Sequence, residues 1–345
     1  MKYKLSFLKQ ISIIAFAFLL LVSCSNGKYK KKRNLTVAFY NVENLFDTVD
    51  DPHKNDNEFL PGSKKKWTET RYTKKLEDLA KVLSSINKNE LPEIVGLCEV
   101  ENKKVLTDLV NTKYLSEGNY KIVHYESPDF RGIDCALIYR PDEFKVLKSF
   151  AVKVQFKDKP GYSTRDILYV KGKTKNRETL HIFVNHWPSR IGGVAKSEPR
   201  RVAVATILKS KIDSVLAESP KANIIVLGDM NDEPSNSSLA QVLGAQKPGT
   251  QNSRLINLMY PVHENKMGSY NYRGNWNMLD NIVVSESLLD NKGFRCTPEK
   301  GFVFHKEWME YKNRKGEISP NRTYGGPNYY GGISDHFPVY FNLTR

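Results

Sequence analysis

Short runs of β-branched and aromatic residues recur from Leu35 to Leu343, and a polar residue stands at the end or start of most of them. "LTVAFYNV" (35–42), "EIVGLCEV" (93–100), "ETLHIFVNHW", "ANIIVLGDMND", "LDNIVVS" and "SDHFPVYFNL" all have this form. So do "YKIVHYES", "IDCALIYRP", "FKVLKSFAVKV" and "RDILYVKGKT" in the middle of the chain. Such runs predict strands. Helical spacing separates some of them. Leu76, Leu79, Val82, Leu83 and Ile86 mark a helix over 70–88, and Val202, Ala205, Ile207, Leu208, Ile212 and Val215 mark one over 197–217. Shorter helices are expected at 102–111 and in "SNSSLAQVLG", and "NDNEFLPGSKKKW" is expected to be a loop. Taken alone, this interleaving predicts one two-layered α/β domain. No repeat and no glycine-rich nucleotide-binding pattern is present.

The N-terminus is different material. Lys2, Lys4 and Lys9 precede the apolar run "ISIIAFAFLLLV", which has the length of a secretory h-region and is too short for a bilayer span. It ends in Leu21-Val22-Ser23-Cys24, which resembles a bacterial lipobox. Residues 1–23 are therefore expected to be a lipoprotein signal peptide, with Cys24 lipidated, 24–34 a tether and 35–345 the folded domain. The expected location is exported and membrane-anchored, periplasmic or at the cell surface. An ordinary signal peptide with a chance cysteine is the plainer alternative. Cys98, Cys135 and Cys296 show no CxxC spacing, which argues against a cysteine zinc site. A formal charge of +15 favours polyanions or anionic lipid, although scattered lysines also serve solubility.

The chemistry lies in the polar residues at the strand ends, because strand ends cluster in space. Asn41 and Glu99 offer the oxygens a hard cation takes. Asp229 and Asn231 could aim at one small target, or equally make an Asx-type turn. His186 ends a strand, and Asp335 and His336 are adjacent. Asp280 could orient and charge His336, a standard acid–base arrangement. Each pair alone is more often structural than catalytic.

In order the chain reads "FYNVEN", "GLCEVEN", "RGIDCALIYR", "VNHWPSR", "VLGDMND", "LDNIVVS", "SDHFPV". From about Leu35 to Leu343 this set resembles the endonuclease/exonuclease/phosphatase superfamily of metal-dependent phosphodiesterases. The resemblance implies a four-layered α/β sandwich, two packed and mostly antiparallel β-sheets flanked by helices, with the active site at one end. It implies Mg²⁺ or Mn²⁺ held by Asn41, Glu99 and Asp335, with Glu99 the principal ligand. By the same resemblance His186 contacts phosphate, Asp229 orients or deprotonates the attacking water, and Asn231 binds phosphate beside it. Asp280 pairs with His336, which stabilises or protonates the phosphorane.

Substrate contacts are expected from Arg131 or Asp134, with Arg140 also within reach, unless these form a structural Asp-Arg pair at a strand end; others are expected from the aromatic, basic stretches "GSYNYRGNWNMLDNI" and "RTYGGPNYYGG" through Tyr270 and Arg322. Such stretches suit stacking on bases and contact with phosphates, or plain loop packing. The expected partners are nucleic acid or another phosphodiester, and a membrane through the lipid anchor; no protein partner is predicted. Nuclease-like cleavage is the leading expectation. A phosphatase or sphingomyelinase-like activity on lipid or small phosphoesters is the alternative. A lipid-tethered binding protein with a dead site is the alternative of another class.

Overall fold

The structure, a computed structural model, describes residues 34–87, 90–156, 159–290 and 293–345. The signal peptide, Cys24 and nearly all of the tether lie outside these residues. Residues Asn34–Arg345 form one compact unit, and no described helix is long and apolar enough to cross a membrane.

Two large sheets carry the fold. The first sheet is built on β1 (Asn34–Leu45), β2 (Ile94–Val100), β3 (Lys121–His124) and β4 (Asp134–Tyr139). The second is built on β5 (Phe144–Val152), β6 (Ile167–Thr174), β7 (Thr179–His186), β8 (Asn223–Asp229), β9 (Ala245–Gln246), β10 (Leu255–Asn257) and β13 (Asp280–Ser285). Between the last two lies a small hairpin, β11 (Tyr270–Tyr272) with β12 (Asn275–Asn277). The chain closes with short pieces, β14 (Arg295–Cys296), β15 (Phe302–Val303), β16 (Glu310–Lys312), β17 (Ile318–Pro320), β18 (Tyr324–Gly325) and β19 (Asn328–Tyr329), and then β20 (Val339–Thr344). β20 returns to pair with β1, Asn34 opposite Thr344. Pairing is antiparallel except for β1–β2, β7–β8 and β9–β10.

The central strands are apolar on both faces because both faces are covered, whereas the edge strands β3 and β5 keep exposed lysines. In β1, Val37 and Phe39 point into the core between the sheets, where they meet Ile182, Val184 and Leu227. Ala38, Tyr40 and Val42 point the other way, onto Leu76, Leu79 and Leu83 of α1 (Glu69–Ser85) and Val105 and Leu109 of α2 (Lys103–Val110). Asn102 starts α2 by accepting the Val105 N–H at 3.0 Å, an N-cap bond. On the far side α3 (Val194–Glu218) lays Ala205, Leu208 and Ile212 on Phe183, Ile224 and Val226. A smaller helix, α4 (Tyr260–Glu264), follows β10. Each fully buried Leu or Val contributes about 2 kcal/mol.

Three stacked cores therefore separate four layers, which corrects the two-layered reading of the element order. Other departures are local. The helix predicted in "SNSSLAQVLG" is one π-helical turn, Ser238–Leu243, stopped by Gly244 in the left-handed conformation. The strand predicted from Ser334 starts only at Val339. Pro338 has no N–H for a ladder, so Asp335 and His336 sit in the preceding loop.

Candidate active site

Register brings the polar strand ends together. His186 of β7 lies opposite Asp229 of β8, and Asp229 lies opposite Asp280 of β13, one row across three strands. From the other sheet, Asn41 of β1 pairs with Cys98 of β2, and both strands then turn irregular. Such bulges re-aim side chains. Here they turn Asn41 and Glu99 toward β8, and Asn41 Nδ2 donates to Asp229 Oδ2 at 3.1 Å. Glu99 holds this pose at φ 62°, a left-handed backbone that is uncommon outside glycine. His336 joins through an isolated bridge to Tyr270, whose ring lies 4.8 Å from the imidazole.

Asp229 satisfies both readings of its motif. One oxygen, Oδ1, accepts the Asn231 N–H at 2.9 Å and closes an Asx turn. The other, Oδ2, faces His186 Nε2 at 3.6 Å and His336 Nε2 at 3.9 Å. Asn231 sits at φ 50° and donates to the Trp187 carbonyl at 3.1 Å. His336 Nδ1 lies 2.6 Å from Asp280 Oδ2, which also accepts from Ser269 Oγ, while Asp280 Oδ1 is buried without a protein partner among the described residues.

Electrostatics divide the two imidazoles. Burial alone pulls His336 down, but the charge and hydrogen bond of Asp280, with Asp229 and Asp335, raise it well above the usual histidine range. His186 is driven well below that range by burial, then by Arg165, Arg131 and His336. One cleft thus holds an imidazole whose neighbours favour the proton and another whose surroundings disfavour it. Burial pushes Asp229 up to about 7, opposed by His336 and reinforced by Asp280 and Glu99.

The donor set fits a hard divalent cation. Glu99 Oε2 accepts the Asn44 N–H at 2.9 Å, and its Oε1 lies 3.7 Å from His186 Nε2, beyond hydrogen-bond reach. Asp335 stands at the same cleft, Oδ2 3.0 Å from Arg322 Nη2. Asn41 Oδ1 accepts the Glu43 N–H at 3.0 Å and retains a second lone pair. Asp229, Asp280 and His336 also bring ligand atoms within 4.8 Å of one another, but His336 is committed to Asp280.

The cleft measures about 1230 Å³, and Asn41, Glu99, His186, Asp229, Asn231, Asp335 and His336 line its floor. Arg131 and Tyr270 line it too, and Arg322 backs it through Asp335. Asp134 does not line it. It is fully buried, accepting the Ser127 N–H at 2.8 Å and lying 3.0 Å from His124 Nε2, so it anchors the loop that carries Arg131. Arg140 follows the far end of β4 and faces Glu93 at 3.7 Å. Neither takes the substrate position expected of it.

Several residues escaped sequence reasoning. Arg165 is buried and donates to the His186 and Trp187 carbonyls and to Asp129. Arg190 donates to the Asn231 carbonyl at 2.7 Å and to Asn277 Oδ1 at 3.0 Å. Ser334 Oγ donates to the Asn41 carbonyl at 2.7 Å and accepts the His336 N–H at 3.1 Å. Only Arg190, the last letter of "VNHWPSR", and Ser334, beside Asp335, lay within motifs already picked out.

A four-layered sandwich with a buried acid–imidazole pair and a carboxylate cluster at one end is the architecture of a phosphoesterase. Residues 36–345 match the endonuclease/exonuclease/phosphatase family, and the chain belongs to it. It is a hydrolase of phosphoesters that depends on a divalent metal. A search of curated proteins found no match. Similar solved structures include an endonuclease/exonuclease/phosphatase family protein from Bacteroides thetaiotaomicron, 18% identical, covering 91% of this chain and 98% of that one at a TM-score of 0.56. A mannosyl-6-phosphatase of the same organism is 17% identical over 90% of this chain and 99% of that one, TM-score 0.56. D. rerio TDP2 complexed with single-strand DNA product is 15% identical over 90% and 99%, TM-score 0.56. At these identities the likeness speaks for the fold.

Proposed function

We propose that this protein is a nuclease, cleaving phosphodiester bonds of nucleic acid with Mg²⁺ or Mn²⁺, and that it acts outside the cell membrane on a lipid anchor at Cys24. The observation that carries the substrate is the rim of the cleft. Phe130 and Tyr272, 61% and 54% exposed, flank a floor of imidazoles, amides and carboxylates, with Arg131 beside them. Exposed aromatic faces next to a guanidinium suit stacked bases and a phosphate backbone. The hairpin bearing Tyr270 and Tyr272 turns at Arg273-Gly274, both at positive φ, which holds the aromatic strand against the cleft.

In this reading Glu99, Asn41 and Asp335 hold the cation, which when bound neutralises charge on the phosphate and leaving oxygen. Asp229 Oδ2, turned into the cleft, accepts a proton from the attacking water and orients it. His336, kept protonated by Asp280, donates from Nε2 to a phosphoryl oxygen as negative charge grows there. Neutral His186 and Asn231 complete the contacts to phosphate.

The test is hydrolysis of plasmid DNA, RNA and bis-p-nitrophenyl phosphate with Mg²⁺, Mn²⁺ or EDTA, beside His336→Ala. Metal-dependent nicking of nucleic acid that is lost in the variant is expected. Cleavage of the small diester without nucleic acid would replace the nuclease reading with one on lipid or small phosphoesters. Metabolic labelling with a fatty acid, with and without Cys24→Ala, tests the anchor.

A further inference from the structure

Lys75 is 2% exposed, a rare position for a lysine. It lies on the face of α1 that packs beneath the catalytic end, among Tyr72, Leu76 and Leu79. A lysine ammonium has three donors and no acceptor. All three are used here: on the Glu43 carbonyl at 2.8 Å, Thr323 Oγ1 at 2.6 Å and the Ile333 carbonyl at 2.7 Å.

These acceptors belong to two segments far apart in sequence. Glu43 follows Asn41 at the end of β1, and its N–H holds the Asn41 side-chain oxygen at 3.0 Å. Its carboxylate reaches the other segment, accepting the Thr323 N–H at 2.7 Å. Thr323 and Ile333 bracket the loop that leads to Asp335 and His336, and Thr323 follows Arg322, which holds Asp335. Most of that loop lacks ladder support, its one pairing being the two-residue strands β18 and β19. Its placement therefore depends on struts, and Lys75 supplies the central one.

We infer that Lys75 is a positioning residue for the metal-binding half of the site, fixing the separation of Asn41 and Asp335 by clamping β1 to the loop before β20. The inference rests on reading Asn41, Glu99 and Asp335 as that half. It has a sign that separates it from simple electrostatics. Deleting a positive charge near a cation site tightens the site by Coulomb's law, whereas deleting a strut loosens it.

The experiment measures Mn²⁺ affinity by calorimetry on the full chain in detergent, with no substrate present. Wild type, Lys75→Met, Thr323→Val and Glu99→Gln are compared, each checked for folding by circular dichroism. Folded Lys75→Met should bind Mn²⁺ about 10-fold more weakly or worse, the scale of lost outer contacts to metal ligands. Equal or tighter binding overturns the inference. Should Lys75→Met not fold, Thr323→Val carries the test: it keeps two struts and should weaken Mn²⁺ several-fold, and unchanged affinity overturns the inference. Glu99→Gln distinguishes the two layers of argument. If it abolishes binding while Lys75→Met does not alter it, the metal reading stands and the role of Lys75 falls. If wild type itself binds no Mn²⁺, both fall.

Discussion

His186 and His336 occupy one cleft, and each is almost fully buried, yet their surroundings push their affinity for a proton in opposite directions. His186 ends a strand whose carbonyls are held by Arg165, with Arg131 also nearby, so cationic neighbours add to the cost of burial. His336 comes in on a loop and meets the carboxylates of Asp280, at 2.6 Å, Asp229 and Asp335. Burial is common to both. The neighbours decide which one carries the proton, and so which can act as an acid.

Removing the charged member should have the largest effect. His336→Ala is expected to lower kcat by about 10³–10⁴-fold at saturating metal, with a far smaller change in KM. Asp280→Asn comes next, at about 10²-fold, because it keeps the shape and removes the charge. It should also lower the His336 pKa measured by NMR and move the alkaline limb of the rate profile to lower pH. The sign for stability follows from linkage. A histidine whose folded pKa is raised contributes stability that is complete below about 6.5, its unfolded value, and fades as pH rises through the folded value. The Tm difference between wild type and Asp280→Asn should therefore shrink at alkaline pH.

Asp229 stands between the two imidazoles and sharpens the comparison. Its folded pKa is raised to about 7, so at pH 8 the metal-free protein holds an ionised carboxylate against its burial. Asp229→Asn should abolish activity yet raise the Tm of the metal-free protein at pH 8 by on the order of a few degrees. That gain should shrink as pH falls through 7 and vanish only below about 4, where the carboxyl is protonated in the folded and the unfolded chain alike. The smallest effect belongs to Arg131→Gln: a KM for nucleic acid raised several-fold, kcat nearly kept, and His186 titrating slightly higher in NMR because one of its cationic neighbours is gone.

Much of this was legible in the sequence because strand ends are where a sheet can present a side chain. Asn41, Glu99, His186 and Asp229 each end an apolar run; register aligns His186 with Asp229, and bulges turn Asn41 and Glu99 from the other sheet into the same cleft. The same rule misled at Asp134 and Arg140. Asp134 is at the catalytic end of β4, but its side chain turns toward His124 on the neighbouring strand; Arg140 is at the opposite end, beside Glu93. Periodicity has no purchase on two- and three-residue pairings, so β9 to β12 and β14 to β19 left no signal, except that "YNYRGNWN" alternates around a turn. The four layers were missed by element order for a related reason. A strand covered on both faces loses the alternation that would tell its two sides apart, so β1 reads as one apolar run although Phe39 and Tyr40 belong to different cores.

The pairing of β20 with β1 has a consequence for when this protein can work. Ser334 bonds to Asn41 across 293 residues of chain, and His336 is fixed just before the strand that joins β1 to β14 and β15 in the first sheet. Until that strand is made, β14 and β15 lack their sheet partner, the central core lacks Val339, Phe341 and Leu343, and the histidine proposed as the acid is missing. A chain still being synthesised therefore lacks part of its core as well as part of its cleft, and both are completed together when the final segment pairs with the first.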